Sequence, residues 1–186
     1  STEATVRGPK EGFVESLRIN TSMLRRRIAD PRLHIEERRL GRVTRTLVAM
    51  AYVQGIARPS VIQEVRSRLD KVDVDSIQES GQLEELIMDA PLSPFPTIAR
   101  SERPDRIVGA LLDGRIAIIV DGTPFVLIMP ATFMMYLTTS EDYFELFYSG
   151  TLIRFTRLLA LTLSLLLPSV YIAVTTFHQE MLPTPL

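Results

Sequence analysis

Apolar residues recur along this chain with two periods, and each change of period marks an element. Between Glu11 and Ile28, Phe13, Leu17, Leu24 and Ile28 fall on one face while Arg18, Arg25, Arg26 and Arg27 crowd the rest, which predicts a helix. Asp30-Pro31 ends it, because the residue before proline avoids the α region. Leu33–Leu40 and Thr46–Val53 read as two strands around Gly41. The second continues as Leu-Val-Ala-Met-Ala-Tyr-Val, an apolar run that suits a central strand covered on both faces. Pro59 sits in the first turn of a helix running to about Leu69, with Val61, Ile62, Val65 and Leu69 as its stripe. Val72–Ile77 predicts a short strand, and Glu79–Met88 a helix with Leu83, Leu86 and Ile87 inward. Strand, helix and strand in that order imply a right-handed crossover in a mixed sheet.

Pro91 to Pro96 reads as an extended, ordered connector, since three prolines fix φ. A strand at Thr97–Ser101 and a helix at Arg103–Leu112 follow. Arg115–Val120 and Phe125–Met129 flank Asp121-Gly122-Thr123-Pro124, the signature of a β-hairpin, and both arms are apolar enough to lie deep in the sheet. Thr132–Leu137 and Glu141–Tyr148 predict short helices, whose Phe133, Tyr136, Tyr143, Phe144, Phe147 and Tyr148 suit a membrane interface. The fold class is therefore α/β: a mixed α+β domain with a central mixed sheet, over residues 1–145.

The pattern then changes. Leu158 to Phe177 carries no charge, and as a helix it is ~30 Å long, the thickness of a bilayer's hydrocarbon core. Residues 146–157 are the juxtamembrane segment, 158–177 the transmembrane helix and 178–186 the truncated start of the next loop. Both chain ends read as cuts in a longer protein, and residues 1–12 lack the apolar stretch of a signal peptide. Arg154 and Arg157 precede the span and no Lys or Arg follows it, which places the domain in the cytoplasm by the positive-inside rule. Pro168, Ser164 and Ser169 interrupt the apolar surface mid-span. They suit a helix packed in a bundle, or a kinked solitary anchor whose hydroxyls bond back to their own turn.

Charge and composition narrow the chemistry. Of 22 acidic residues only Glu180 lies beyond Glu145, and of 21 basic ones only Arg154 and Arg157 do, so the two parts are different materials. A net charge of -1 gives no nucleic-acid footprint. Without cysteine there is no thiolate nucleophile or cysteine-ligated metal. His34 and His178 cannot assemble a zinc site or a catalytic triad, and no phosphate-binding or dinucleotide-binding glycine pattern occurs. We expect no catalysis and no cofactor. The candidate ligand-binding residues are Arg7, beside Gly8-Pro9, with Glu102, Arg103 and Asp105. Arg7 and Arg103 have the forked donors that clamp a carboxylate; the structural alternative is capping and pairing at a helix start.

Several stretches resemble the A-subunit family of bacterial spore germination receptors, the GerA family. They are residues 6–13, 15–20 and 24–28, Asp73–Ser76 with Glu79-Ser80-Gly81, Ser93–Thr97, Glu102–Asp105, Val120–Val126, Thr175–His178 and Pro183–Leu186. The resemblance implies a receptor subunit of the spore inner membrane, assembled with a B subunit and a lipoprotein C subunit, self-associating, and contributing to ion release when small nutrients are sensed. It implies that this chain holds the later part of the soluble region and the first membrane helix. A stage V sporulation relative, the AF protein, shares that architecture. A single-pass sensor binding a nutrient in its own domain is a further alternative.

Overall fold

The computed structural model describes residues 11–88, 96–137 and 147–177. The chain forms two compact units, Ser1–Met135 and Tyr136–Leu186. The first contains α1 (Leu17–Arg27), β1 (Leu33–Leu40), β2 (Thr46–Val53), α2 (Pro59–Asp70), α3 (Ser80–Ile87), β3 (Ala99–Ser101), α4 (Pro104–Leu112), β4 (Ile116–Val120) and β5 (Val126–Met129). The boundary falls within α5 (Phe133–Leu137), and α6 (Phe147–Phe177) makes up most of the described part of the second.

The five strands stand in the order β1-β2-β4-β5-β3. The expected mixed α/β domain is present, but every pairing in its sheet is antiparallel, which corrects the expected mixed sheet. The crossover fails because residues 72–77 are not a strand. Their backbone bonds instead to the β1–β2 loop, with Arg42 N–H donating to Val74 O (2.9 Å) and Val43 N–H to Asp75 O (2.9 Å). Threonine hydroxyls satisfy the end of the segment: Thr46 Oγ1 donates to Ile77 O (2.6 Å) and Thr44 Oγ1 accepts from Ile77 N–H (3.2 Å). A Val-Asp-Val-Asp alternation marks a half-buried edge, whatever partner supplies it.

Period-2 alternation sorts the central strands onto two faces. Ala49, Ala51, Val53, Ala117, Ile119, Val126 and Ile128 pack with Leu17, Leu24, Ile107 and Leu111 of α1 and α4. Val48, Met50, Ile116, Ile118, Val120 and Leu127 pack with Ile62, Val65, Leu69, Leu83 and Ile87 of α2 and α3. The sheet is thus the middle of three layers, and both arms of the β4–β5 hairpin are buried throughout. Alanines concentrate on the α1/α4 face, where small side chains let helices lie close to the sheet.

α1 begins at Leu17, later than the periodicity from Glu11 predicts. Asn20 is the reason: its Oδ1 accepts Val14 N–H (2.9 Å) and its Nδ2 donates to Val14 O (2.6 Å), which occupies that backbone outside any helix.

α6 is 31 residues long, about 46 Å at 1.5 Å per residue. It is helical without a break from Phe147. Tyr148–Thr176 has mean hydropathy 2.1 in its most apolar window and no residue of that window is buried, so the helix is long and apolar enough to cross a membrane. The helix predicted over Glu141–Tyr148 lies mostly outside the described residues, as do residues 91–95 of the proline connector.

Candidate functional site

Three stretches far apart in sequence meet at one end of the sheet: the lead-in to α1, the start of α4, and the β4–β5 turn. Phe13 N–H donates to Glu102 O (2.8 Å) and Gly122 N–H to Glu15 O (2.7 Å). Asp121 joins the elements. Its Oδ1 accepts Leu17 N–H (2.9 Å), and its own N–H donates to Leu47 O (2.9 Å). Ser16 occupies the N-cap position of α1 but makes no side-chain cap bond, so the carboxylate of a remote turn satisfies the first orphan amide of this helix. Gly122 turns the chain at φ 91°, a backbone conformation that side-chain-bearing residues rarely adopt. Phe13 and Leu17 are then buried under the junction.

The residues singled out from sequence divide as follows. Arg7 lies outside the described residues. Glu102, Arg103 and Asp105 are together at the start of α4. Glu102 is buried and contributes its carbonyl to Phe13. Arg103 is 4% exposed, and its fork holds Asp105 through Nε to Oδ1 (3.0 Å) and NH2 to Oδ2 (2.7 Å). Its N–H also donates to Ser101 Oγ (3.1 Å). Burial works against the charge of Asp105 most strongly of any single cause, but the Arg103 bonds and charge, with the backbone amides of Arg106 and Asp105, together outweigh it and hold the carboxyl below the usual aspartate range. Asp105 also lies in the first turn of α4, where a carboxylate complements the helix dipole. The guanidinium suited to a ligand carboxylate is therefore engaged by one from its own chain. Among the described residues, no group of three or more His, Asp or Glu side chains is placed to hold a metal ion.

A second buried carboxylate was not visible in the sequence. Glu84 of α3 faces Arg100 on the edge strand β3, Nε to Oε2 at 2.9 Å. That approach lies off the hydrogen-bonding direction, so the oxygen has charge contact without a hydrogen bond. Burial raises the Glu84 carboxyl, Arg100 opposes the shift and Glu85 adds to it. Only its position between Leu83 and Ile87 on an amphipathic helix hinted at burial.

On α6, Ser164 Oγ donates to Leu161 O (2.8 Å) and Ser169 Oγ to Leu165 O (2.6 Å). Thr162 and Thr175 bond back in the same way. Pro168 lies inside the helix and has no N–H for the carbonyl one turn earlier, that of Ser164. Pro168, Ser164 and Ser169 thus fall within one and a half turns.

The whole chain, residues 1–186, matches the family described as Bacillus/Clostridium GerA spore germination protein. It is 52% identical to spore germination protein KA of Bacillus subtilis (strain 168), over all of this chain and 34% of that protein. Identity is 42% to spore germination protein A1 of the same organism, over all of this chain and 39% of that protein. It is 37% to spore germination protein GerLA of Bacillus cereus, over all of this chain and 38% of that protein. The chain therefore spans little more than a third of the length of these curated relatives. Among solved structures it is similar to the N-terminal domain of the A subunit of the Bacillus megaterium spore germinant receptor GerK3. That match has a TM-score of 0.54 and 53% identity, and it covers 66% of this chain and 98% of that one. The family match runs over the full length of the chain, and the chain belongs to the Bacillus/Clostridium GerA spore germination protein family.

Proposed function

We propose that this chain is the later soluble part and first membrane helix of a germinant-receptor A subunit, which works with B and C subunits to release ions across the spore inner membrane. The observation that carries the reading is α6: an apolar helix of bilayer length, with none of its most apolar window buried, following a domain whose sheet is already covered on both faces. A helix of that kind finds its burial in lipid or against other membrane helices. Arg154 and Arg157 ahead of the apolar stretch support a cytoplasmic domain. Pro168 leaves the Ser164 carbonyl without its intrahelical donor, which supports packing in a bundle, while the back-bonded hydroxyls of Ser164 and Ser169 suit a solitary anchor equally. In this reading the chain is not an enzyme, and Arg103 and Asp105 shape the start of α4.

Co-purification tests it. Full-length protein extracted in mild detergent is expected to run as an oligomer or with its B and C partners. A strictly monomeric species that never co-purifies with them would refute the proposal.

A further inference from the structure

Strand register shows which loops share an end of the sheet. Leu33 pairs with Val53, and Ile116 with Met129, so residues 28–32, 54–58, 113–115 and 130–132 lie together at one end. Asp121 and the β1–β2 loop lie at the other. α1 starts at the Asp121 end and finishes at the first, where Arg25, Arg26 and Arg27 form its last turn. That first end is also where the chain leaves the sheet, through Pro130 and α5.

Six arginines gather there: Arg25, Arg26, Arg27, Arg32, Arg58 and Arg115. Three carboxylates accompany them. Glu11 pairs with Arg26 and Arg27, Asp30 pairs with Arg32, and Asp113 occupies the C-cap position of α4. Arg25 and Arg58 are exposed and have no ion pair among the described residues. Arg58 is placed against the preference of its own helix, since it sits at the N-cap of α2 with no acidic residue in the first turn. Two aliphatic side chains stand at the same end, Ile56 at 37% exposure and Leu112, the last residue of α4, at 53%. The opposite end carries Asp70, Asp73, Asp75 and Glu79 together with Arg42, Arg45 and Lys71, so its charges nearly balance.

We infer that this basic end rests on the anionic headgroups of the bilayer that α6 crosses, its arginines against lipid phosphates and Ile56 and Leu112 at the acyl boundary. The inference depends on the proposal that α6 spans a membrane. Nine residues separate α5 from α6, so the connection reaches at most about 35 Å, and a charged surface is always near. Lipid suits this surface better than an acidic protein partner, because the cations are spread over several loops around the chain exit, and among them only Arg26 lines a described concavity, which it shares with Glu11 and Arg18. Each arginine near an anionic surface strengthens docking roughly fivefold.

The chain has no cysteine, so single reporters are straightforward. Leu112→Cys, Ile56→Cys and, at the opposite end, Val43→Cys (77% exposed) carry a polarity-sensitive fluorophore on the whole chain. Each labelled chain is held in nanodiscs of phosphatidylcholine alone or mixed with phosphatidylglycerol. The labels at 112 and 56 are expected to shift to the blue in the anionic discs, and the label at 43 is not. Arg25→Gln with Arg58→Gln is expected to lower the docked-to-undocked ratio roughly 25-fold, and high salt to lower it similarly. Equal shifts at 43 and 112, or shifts indifferent to phosphatidylglycerol and to the arginines, overturn the inference. So does a label at 112 that responds only when an acidic protein is added. A chain that does not stay with the discs refutes the spanning helix and this inference with it; a retained chain with unresponsive labels refutes the inference alone.

Discussion

Replacing Asp121 by alanine removes the one side-chain cap seen on α1 among the described residues and leaves the turn backbone in place. The lost bond is Leu17 N–H to Asp121 Oδ1 at 2.9 Å, and Ser16 supplies no substitute. Loss of a helix cap costs about 1 kcal/mol, and loss of a carboxylate from a helix N-terminus about 0.5 more. Asp121→Ala is thus expected to destabilise the domain by about 1.5 kcal/mol, and Asp121→Asn, which keeps an acceptor, by about 0.5. Ser16→Ala is expected to stay within about 0.5 kcal/mol of the parent, as surface substitutions do. Denaturant unfolding of the detergent-solubilised chain, followed by far-ultraviolet circular dichroism, reads all three. Native-state hydrogen exchange adds a local test, since the Leu17 amide should lose protection in Asp121→Ala. If Ser16→Ala costs as much as Asp121→Ala, the cap is local and the reasoning from the junction is wrong.

Other substitutions probe separate features. Asp105→Asn strips the buried Arg103 of this charged partner and is expected to cost about 2 kcal/mol in denaturant unfolding, discounted from the fully buried case because Asp105 is part exposed. The Asp105 carboxyl titrates lower folded than unfolded, so its contribution is present above pH 3.8 and lost as pH falls through the lowered value; the variant should show a flatter acid limb. Glu84 has the opposite sign. Its raised carboxyl favours the folded state below pH 4.5 and loses that advantage as pH rises, so Glu84→Gln should gain stability relative to the parent between acid and neutral pH. Arg45 adopts φ 49°, and Arg45→Gly is expected to raise stability by about 0.5 kcal/mol by calorimetry. Gly41→Ala should do the reverse, because at φ 87° its new methyl would lie 2.6 Å from Thr44 Oγ1.

β1 and β2 emerge from the sequence with the bounds they have in the structure, because a glycine turn and unbroken apolar patterning act over a few residues. α2 and the β4–β5 hairpin were legible for the same reason. What the pattern could not convey is which backbone satisfies which. Residues 72–77 carry a strand's alternation but find their partners in a loop and two threonine hydroxyls. With that segment outside the sheet, the predicted crossover is lost. At the junction, Glu102–Asp105 stood out as a charged group, yet Phe13 is bonded to it, and Asp121 to Leu17, only through folding, and no local rule links residue 17 with residue 121. On α6, Arg154 and Arg157 end the uncharged run at Leu158, while the helix itself continues back to Phe147 because arginine is a good helix former.

Thr156, Thr162, Ser164, Ser169 and Thr175 of α6 hide their polarity against their own helix's carbonyls, and that has a mechanical meaning. A helix held to its neighbours by hydrogen bonds must break them before it turns or slides, and each break in hydrocarbon carries a penalty. Thr162, Ser164, Ser169 and Thr175 need no such bond, so the surface offered to neighbours between Leu158 and Phe177 is mostly greasy, the Tyr171 hydroxyl and the open carbonyl near the proline aside. Rotation of this rod within a cluster exchanges one van der Waals contact for another of similar strength. For the receptor subunit proposed above, such a surface is a slippery bearing rather than a polar latch.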